Sequence, residues 1–336
     1  MKIITCIKPG VFEYNDVEKP PSSPGKAIIQ IQRIGICGTD LHAYEGTQPY
    51  FSYPRILGHE LSGVLVETGG AEGFAVGDLV TIIPYFSCGK CVACLSQKPN
   101  CCVSISVFGV HEDGGMREYI SVPSSALVKE EGLSLDQLAL AEPLAIGAHG
   151  VRRAGVKPGE YVVVMGAGPI GLGIMEFASI AGGKVIAMDI NEDRLAFCRD
   201  TLGIKFTVNA KEEFKKEIEK ITEGSFAEVI IDATGSSIAI HNGFNLMAHG
   251  GRYVLVGLQK GPIKISHPEF HKRESTLMSS RNATREDFDT VLKALKENKV
   301  KAESYITHQI TFDRIKQDFA GWLDPDNKVI KALVNL

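Results

Sequence analysis

The pattern of apolar and polar positions changes near the middle of the chain. From residue 1 to about 140 the apolar positions fall in short β-type runs, Ala27 to Ile34, Leu61 to Glu67 and Leu79 to Ile83, divided by Gly, Pro and Ser. Helical periodicity is scarce there, which predicts a β-rich, irregular domain. From Tyr161 onward the order becomes strand, glycine turn, helix, strand: Tyr161 to Met165, Gly171 to Ala181, Lys184 to Asp189, Glu192 to Thr201. The alternation runs on through Val229 to Asp232 and Arg252 to Gly257 to a last strand near Leu277 to Ser280, and predicts a parallel sheet of about six strands. The tail carries an amphipathic segment, Asp287 to Lys296, then β-like Ile306 to Thr311 and Val329 to Leu336. With no second glycine fingerprint, it is expected to return to the first domain.

A length of 336 residues suits two domains, each with its own core. The opening MKIITCIKPG reads as a first strand rather than a signal peptide. The most apolar stretch, Tyr161 to Met175, is shorter than a membrane span and holds four glycines, so no membrane partner is expected. A net charge of -4, with acids and bases interleaved, offers no basic face for nucleic acid and leaves a small molecule as the expected partner.

Eight cysteines change the picture, because Cys88, Cys91, Cys94, Cys101 and Cys102 crowd into one segment. That spacing suits metal, and thiols kept as ligands suit a reducing cytoplasm. Cys88-x2-Cys91-x2-Cys94-x7-Cys102 supplies the four thiolates of a tetrahedral zinc site with no open position, whose role would be to order the lobe. Cys101 competes with Cys102 on spacing alone. A nucleic-acid zinc finger is disfavoured, since the loop holds only Lys90 and Lys98 and no basic helix follows. Elsewhere Cys37 in GICGTDLH, His59 in GHE and Glu142 in AEPLA make one thiolate, one imidazole and one carboxylate, a set that leaves room on zinc for substrate. Taken singly, Cys37 also suits a buried filler and His59 a hydrogen-bonded loop residue.

Gly166-Ala167-Gly168-Pro169-Ile170-Gly171 follows a strand and opens a helix, where backbone N–H groups can approach a pyrophosphate. Asp189 lies 18 residues beyond Gly171 at the end of the next strand, placed to bond the adenine ribose and repel a 2′-phosphate. NAD is therefore the expected cofactor. Arg194 is placed to pair with Asp189 or with a phosphate, and Asp189 also suits an N-cap for the Glu192 helix.

GHELSGVLVETG, the four-cysteine loop and GAGPIG, in this order, resemble the zinc-containing medium-chain alcohol and polyol dehydrogenases over essentially the whole chain. The resemblance implies a Rossmann NAD-binding domain at 145–285, an α/β fold with a six-stranded parallel sheet, set into a β-rich GroES-like catalytic domain at 1–144 and 286–336. A structural zinc lobe at about 86–103, two zinc ions per chain and a homodimer or homotetramer are implied with it. By resemblance Cys37 and His59 bind catalytic zinc, with Cys102 rather than Cys101 completing the structural site. Glu60 ligates the catalytic zinc directly or intermittently, or orients the site. Glu142 supplies a further ligand or holds the zinc-bound water; the alternative is a helix-start residue ahead of Pro143. Glu142 marks the polyol-like branch, because ethanol-type enzymes carry cysteine there. Thr39 would bond the reacting oxygen and His42 relay its proton.

Gly166, Gly168, Pro169, Ile170 and Gly171 match the pyrophosphate loop, and Asp232-Ala233-Thr234-Gly235 with Val256-Gly257-Leu258 match segments beside the nicotinamide, with Thr234, Val256 and Gly257 as cofactor contacts. Gly70-Ala71-Glu72-Gly73 departs from the family pattern at a surface turn. Ser280-Arg281-Asn282, Ile306-Thr307-His308 and Val329-Ile330-Lys331-Ala332 resemble bacterial relatives that oxidise a secondary hydroxyl of hexonates such as L-gulonate or L-galactonate. The implied substrate is thus a polyol, sugar or sugar acid, with simple primary alcohols and aldehydes as the alternative. A catalytically silent binding protein is a third reading, opposed by the joint presence of Cys37, Thr39, His42, His59 and Asp189.

Overall fold

The computed structural model describes residues 1–49 and 51–336. It divides into one unit of Met1–Pro143, Ala283–Asn298 and Ala302–Leu336, and another of Leu144–Asn282 with Lys299–Lys301.

The first unit is built on a seven-stranded sheet. Its path runs Ile306–Thr311, Lys331–Asn335, Lys26–Gly35, Glu60–Glu67, Leu79–Ile82 and Leu127–Val128, with Tyr119–Pro123 also pairing with Lys26–Gly35. Only the Ile306–Thr311 and Lys331–Asn335 pair is parallel. Lys26–Gly35 is the hub: Ala27, Ile29, Ile31 and Ile34 are at most 1% exposed and sit in the core, while Gln30 and Gln32 alternate with them. The tail is tied down by stacked and edge-on aromatics, with Phe12 5.1 Å from Tyr44 and 5.0 Å from Phe319, and Phe319 5.3 Å from Trp322. The helix Gly38–Glu45 was not foreseen, since it buries only Asp40 and Ala43 and so shows little periodicity. Its ends are well marked all the same, by Cys37 at the N-cap and left-handed Gly46 at the C-cap.

The second unit is a six-stranded parallel sheet in the order Phe206–Asn209, Lys184–Asp189, Tyr161–Met165, Ala227–Asp232, Met247–Leu255, Thr276–Ser279. The strand order reverses at Tyr161–Met165, the switch point at which such sheets bind ligands. Val162 to Met165 are all at most 1% exposed, the unbroken apolar run of a strand covered on both faces. Phe206–Asn209 escaped the sequence analysis because it is a four-residue, half-buried edge strand. The helix after the glycine turn is Pro169–Ile180, two residues earlier than expected, because Pro169 occupies its first position, where a missing N–H costs nothing. Val256 and Gly257 lie beyond the Met247–Leu255 strand, in the loop after it, rather than within the strand. Among the described residues no helix is long and apolar enough to cross a membrane.

Candidate active site

The sheet of the first unit sets the site. Lys26–Gly35 ends two residues before Cys37, whose extended backbone starts the Gly38–Glu45 helix. Cys37 N–H donates to Asp40 Oδ2 at 3.0 Å and Gly58 N–H donates to Asp40 Oδ1 at 3.1 Å. Asp40, only 1% exposed, therefore ties the loop of Cys37 to the loop of His59. Glu60 opens the Glu60–Glu67 strand opposite Gly35. This juxtaposition brings a Cys37 Sγ, a His59 ring nitrogen and a Glu60 carboxylate oxygen within 4.8 Å of one another.

Lys331, buried to 2% exposure, donates to Glu60 Oε1 at 2.7 Å, Glu60 Oε2 at 2.6 Å and the Ile36 carbonyl at 3.0 Å. Gly35 leaves the space for this pair, since a Cβ there would run into the Glu60 carboxylate. Burial alone would lower the His59 and Lys331 pKa values, but the neighbouring Cys37 and Asp40 raise that of His59 and Glu60 and Cys37 that of Lys331. Negative charge thus converges on one point. His59 Nδ1 is buried without a hydrogen-bond partner, 3.8 Å from Asp40 Oδ1. A divalent cation suits this mixed sulfur, nitrogen and oxygen set, and zinc fits it.

Glu142 stands outside that group of three. It lies in the first turn of Ala141–Ala154, and its carboxylate accepts the Tyr85 hydroxyl. Burial raises the Glu142 pKa, and burial together with Glu142 raises that of Tyr85, so Tyr85 is the proton donor of the pair. His59 and Glu60 are close enough to act on Glu142 electrostatically. Thr39 is half-buried in the first turn of the Gly38–Glu45 helix. His42 is exposed on the same helix, with Nδ1 3.3 Å from Glu45 Oε2.

The second metal group is Cys88, Cys91, Cys94 and Cys102, again with ligand atoms within 4.8 Å of one another. Cys102, which is buried, lies in this group, and Cys101, which is exposed, lies outside it. Backbone N–H groups of Cys94 and Val103 bring the Cys91 thiol down to about 6, while burial pushes Cys94 up to about 11. Four converging sulfurs with one already inclined to the thiolate fit a closed zinc site.

In the second unit a Cβ at Gly171 would strike the Gly166 carbonyl oxygen, so the turn closes only with glycine there. Asp189 accepts the Ala167 N–H at 2.6 Å and the Asn191 N–H at 2.9 Å. The N-cap of Glu192–Asp200 is Asn191, which removes that role from Asp189. Arg194 Nη1 donates to the Ala167 carbonyl at 3.3 Å, beside the same loop. Buried Asp232 gathers the remaining segments: its carboxylate accepts the Thr234 hydroxyl at 2.6 Å and the Gly235 N–H at 3.0 Å, and its carbonyl accepts the N–H groups of Val256 and Gly257.

Asp40, Tyr85 and Lys331 were missed as site residues by sequence. Asp40 had a signal, an acid three residues after a helix-starting Cys37. Lys331 had one too, a single charge at the head of the apolar run Ala332, Leu333 and Val334. Tyr85 had none, lying 57 residues from Glu142.

The family model described as Alcohol dehydrogenase GroES-like domain matches residues 23–132, and that described as Zinc-binding dehydrogenase matches residues 169–297. The chain is 42% identical over 335 residues to L-galactonate-5-dehydrogenase of Escherichia coli (strain K12), covering 99% of this chain and 98% of that one. It is 33% identical over 319 residues to sorbitol dehydrogenase of Halalkalibacterium halodurans, covering 93% of each. The crystal structure of the alcohol dehydrogenase RspB from Escherichia coli CFT073, complexed with NADH, superposes with a TM-score of 0.93 at 30% identity, covering 100% of this chain and 99% of the other. With the Cys37, His59 and Glu60 cluster in a GroES-like unit and a six-stranded Rossmann unit beside it in sequence, the chain belongs to the zinc-binding alcohol dehydrogenase family.

Proposed function

We propose that this enzyme oxidises the secondary hydroxyl of a polyol, sugar or sugar acid, such as a hexonate, with NAD. The observation that carries the reading is the carboxylate-rich centre, in which Glu60 lies in the metal group and Glu142 with Tyr85 stands where ethanol-type relatives have cysteine. The 42% identity to L-galactonate-5-dehydrogenase supports the same class.

Cys37, His59 and Glu60 would hold the catalytic zinc, and Cys88, Cys91, Cys94 and Cys102 the structural one. When bound, the catalytic zinc supplies a Lewis acid that lowers the pKa of a substrate hydroxyl, and NAD supplies the hydride acceptor. Glu142, kept in place by Tyr85, serves as a further ligand or holds water at the centre. Thr39 orients the reacting oxygen, and His42, exposed on the same helix, passes its proton to solvent. The net change is loss of a hydride and a proton from the carbinol. Gly166, Gly168, Pro169, Ile170 and Gly171 cradle the pyrophosphate at the N-terminus of Pro169–Ile180, with Arg194 beside it and Thr234, Val256 and Gly257 lining the nicotinamide end. Asp189 takes the ribose hydroxyls and disfavours NADP. A homodimer or homotetramer in the cytoplasm suits an enzyme with eight cysteines, five of which must stay reduced to bind metal.

The test is absorbance of NADH across hexonates, polyols and simple alcohols with either cofactor, using zinc-loaded protein. A hexonate or polyol should exceed any simple primary alcohol by at least about tenfold in kcat/KM. A preference for primary alcohols would move the assignment to that class, and no turnover of any substrate would favour a silent binding protein. Asp189→Ser should narrow the ratio of NAD to NADP specificity constants; an unchanged ratio would remove Asp189 from cofactor choice.

A further inference from the structure

Lys331 is a buried ammonium inside a catalytic centre, and no step above uses it. Its three protons meet three acceptors, Glu60 Oε1 at 2.7 Å, Glu60 Oε2 at 2.6 Å and the Ile36 carbonyl at 3.0 Å, so its hydrogen bonding is complete without water. The strand that carries it is fixed. Ala332, Leu333 and Val334 are at most 2% exposed, and the Ile36 N–H donates to the Ala332 carbonyl at 3.0 Å. Gly35 supplies the room by having no side chain, so the sheet is shaped around this pair.

We propose that Lys331 is a positioning residue that makes Glu60 a weak, displaceable ligand of the catalytic metal. The proposal rests on the assignment of Cys37, His59 and Glu60 as that metal's site. A carboxylate bound through both oxygens to an ammonium has less charge to offer a cation, and any oxygen that turns to the metal must lengthen or share a hydrogen bond to Lys331. Cys37 and His59 then carry the lasting attachment, while Glu60 yields its position easily to a substrate hydroxyl. If Lys331 served only to neutralise a buried carboxylate, its loss would lower stability without tightening the metal.

The test follows zinc leaving the holoenzyme for a chromogenic chelator in stopped flow, with the melting temperature measured alongside. In Lys331→Met the phase that reports the catalytic zinc should slow by about 10- to 100-fold, an effect of the usual size for a partner of a metal ligand but opposite in sign to the loss of a supporting partner. Lys331→Arg should restore the wild-type rate. Lys331→Met combined with Glu60→Gln should release zinc as Glu60→Gln does alone, because Lys331 acts through Glu60. The proposal is overturned if Lys331→Met leaves that phase unchanged or faster, or slows it equally in the Glu60→Gln background. Should Lys331→Met give no soluble protein, Lys331→Gln, which keeps a hydrogen bond without the charge, is judged by the same outcomes. A holoenzyme with no zinc at Cys37 and His59 overturns the site assignment instead, and the proposal with it.

Discussion

The two candidate metal centres of this chain are built in opposite ways. Around Cys88, Cys91, Cys94 and Cys102 the protein contributes little beyond ligands: a four-residue helix, Val92–Leu95, a short turn at Pro99–Cys101, and apolar side chains that face outward, with Val92, Leu95 and Val103 at 73–74% exposure. Around Cys37, His59 and Glu60 the protein contributes almost everything. The ligands sit at the ends of core strands, Asp40 binds two loops together, and Lys331 and Tyr85 hold the carboxylates. A lobe without an apolar core needs its metal to fold, whereas a site made by a packed sheet stands ready before the metal arrives. The difference suits a closed structural site at the first and a site free to do chemistry at the second, as proposed.

The contrast breaks most visibly under ligand removal. His59→Ala should lower turnover on the order of a thousandfold while the melting temperature stays within a few degrees, because the sheet and the Asp40 bonds to backbone survive. Cys91→Ser should do the reverse, lowering the melting temperature by about 5 °C or more and cutting soluble yield, with the chemical step in the surviving protein little changed. A soluble, fully stable but inactive Cys91→Ser enzyme would show that the lobe is not structural.

A smaller effect sharpens the role of Glu142. Glu142→Gln keeps the shape and the bond from Tyr85 but removes a charge, so kcat should fall by at least about tenfold with the KM for NAD near normal. If Glu142 only starts its helix, the loss is a few tenths of a kcal/mol of stability, of the order of a terminal dipole effect, and turnover is untouched.

The least effect is in thiol reactivity. In protein freshly stripped of metal, before the lobe opens, Cys91, held at about 6 by backbone N–H groups, is mostly thiolate at neutral pH and loses that character as pH falls through 6. Cys94, pushed up to about 11, becomes thiolate only in strong base. Alkylation mapped by mass spectrometry from pH 5 to 9 should therefore label Cys91 before Cys94. On longer incubation without metal the two rates should converge as the lobe loses its fold, and a Cys91 preference that persists would show that the lobe folds without metal.

The chain's periodicity revealed the fold wherever burial is one-sided or complete over five or more residues, as at Tyr161–Met165 and Lys184–Asp189. It hid Phe206–Asn209 and Gly38–Glu45, whose exposure gives no clear alternation or stripe. The grouping of Cys88, Cys91, Cys94 and Cys102 within a single loop was legible because the four are close in sequence. The partners of those ligands were not: Lys331 meets Glu60 across 271 positions and Tyr85 meets Glu142 across 57, and only the closure of the sheet brings them together. Glu142 illustrates the limit from the other side, since its segment suggested a ligand and the fold places it beside the metal group, engaged with Tyr85.

The most direct test of the two-centre account is zinc counted by atomic emission during chelation, with turnover and near-ultraviolet circular dichroism followed on the same sample. Two zinc ions per chain should be present at the start. One should leave first, taking all activity and leaving the dichroism intact; the other should leave only as the fold of the lobe is lost. A single zinc per chain, or two ions lost together with activity and fold, would contradict the division between a metal-built lobe and a protein-built active site.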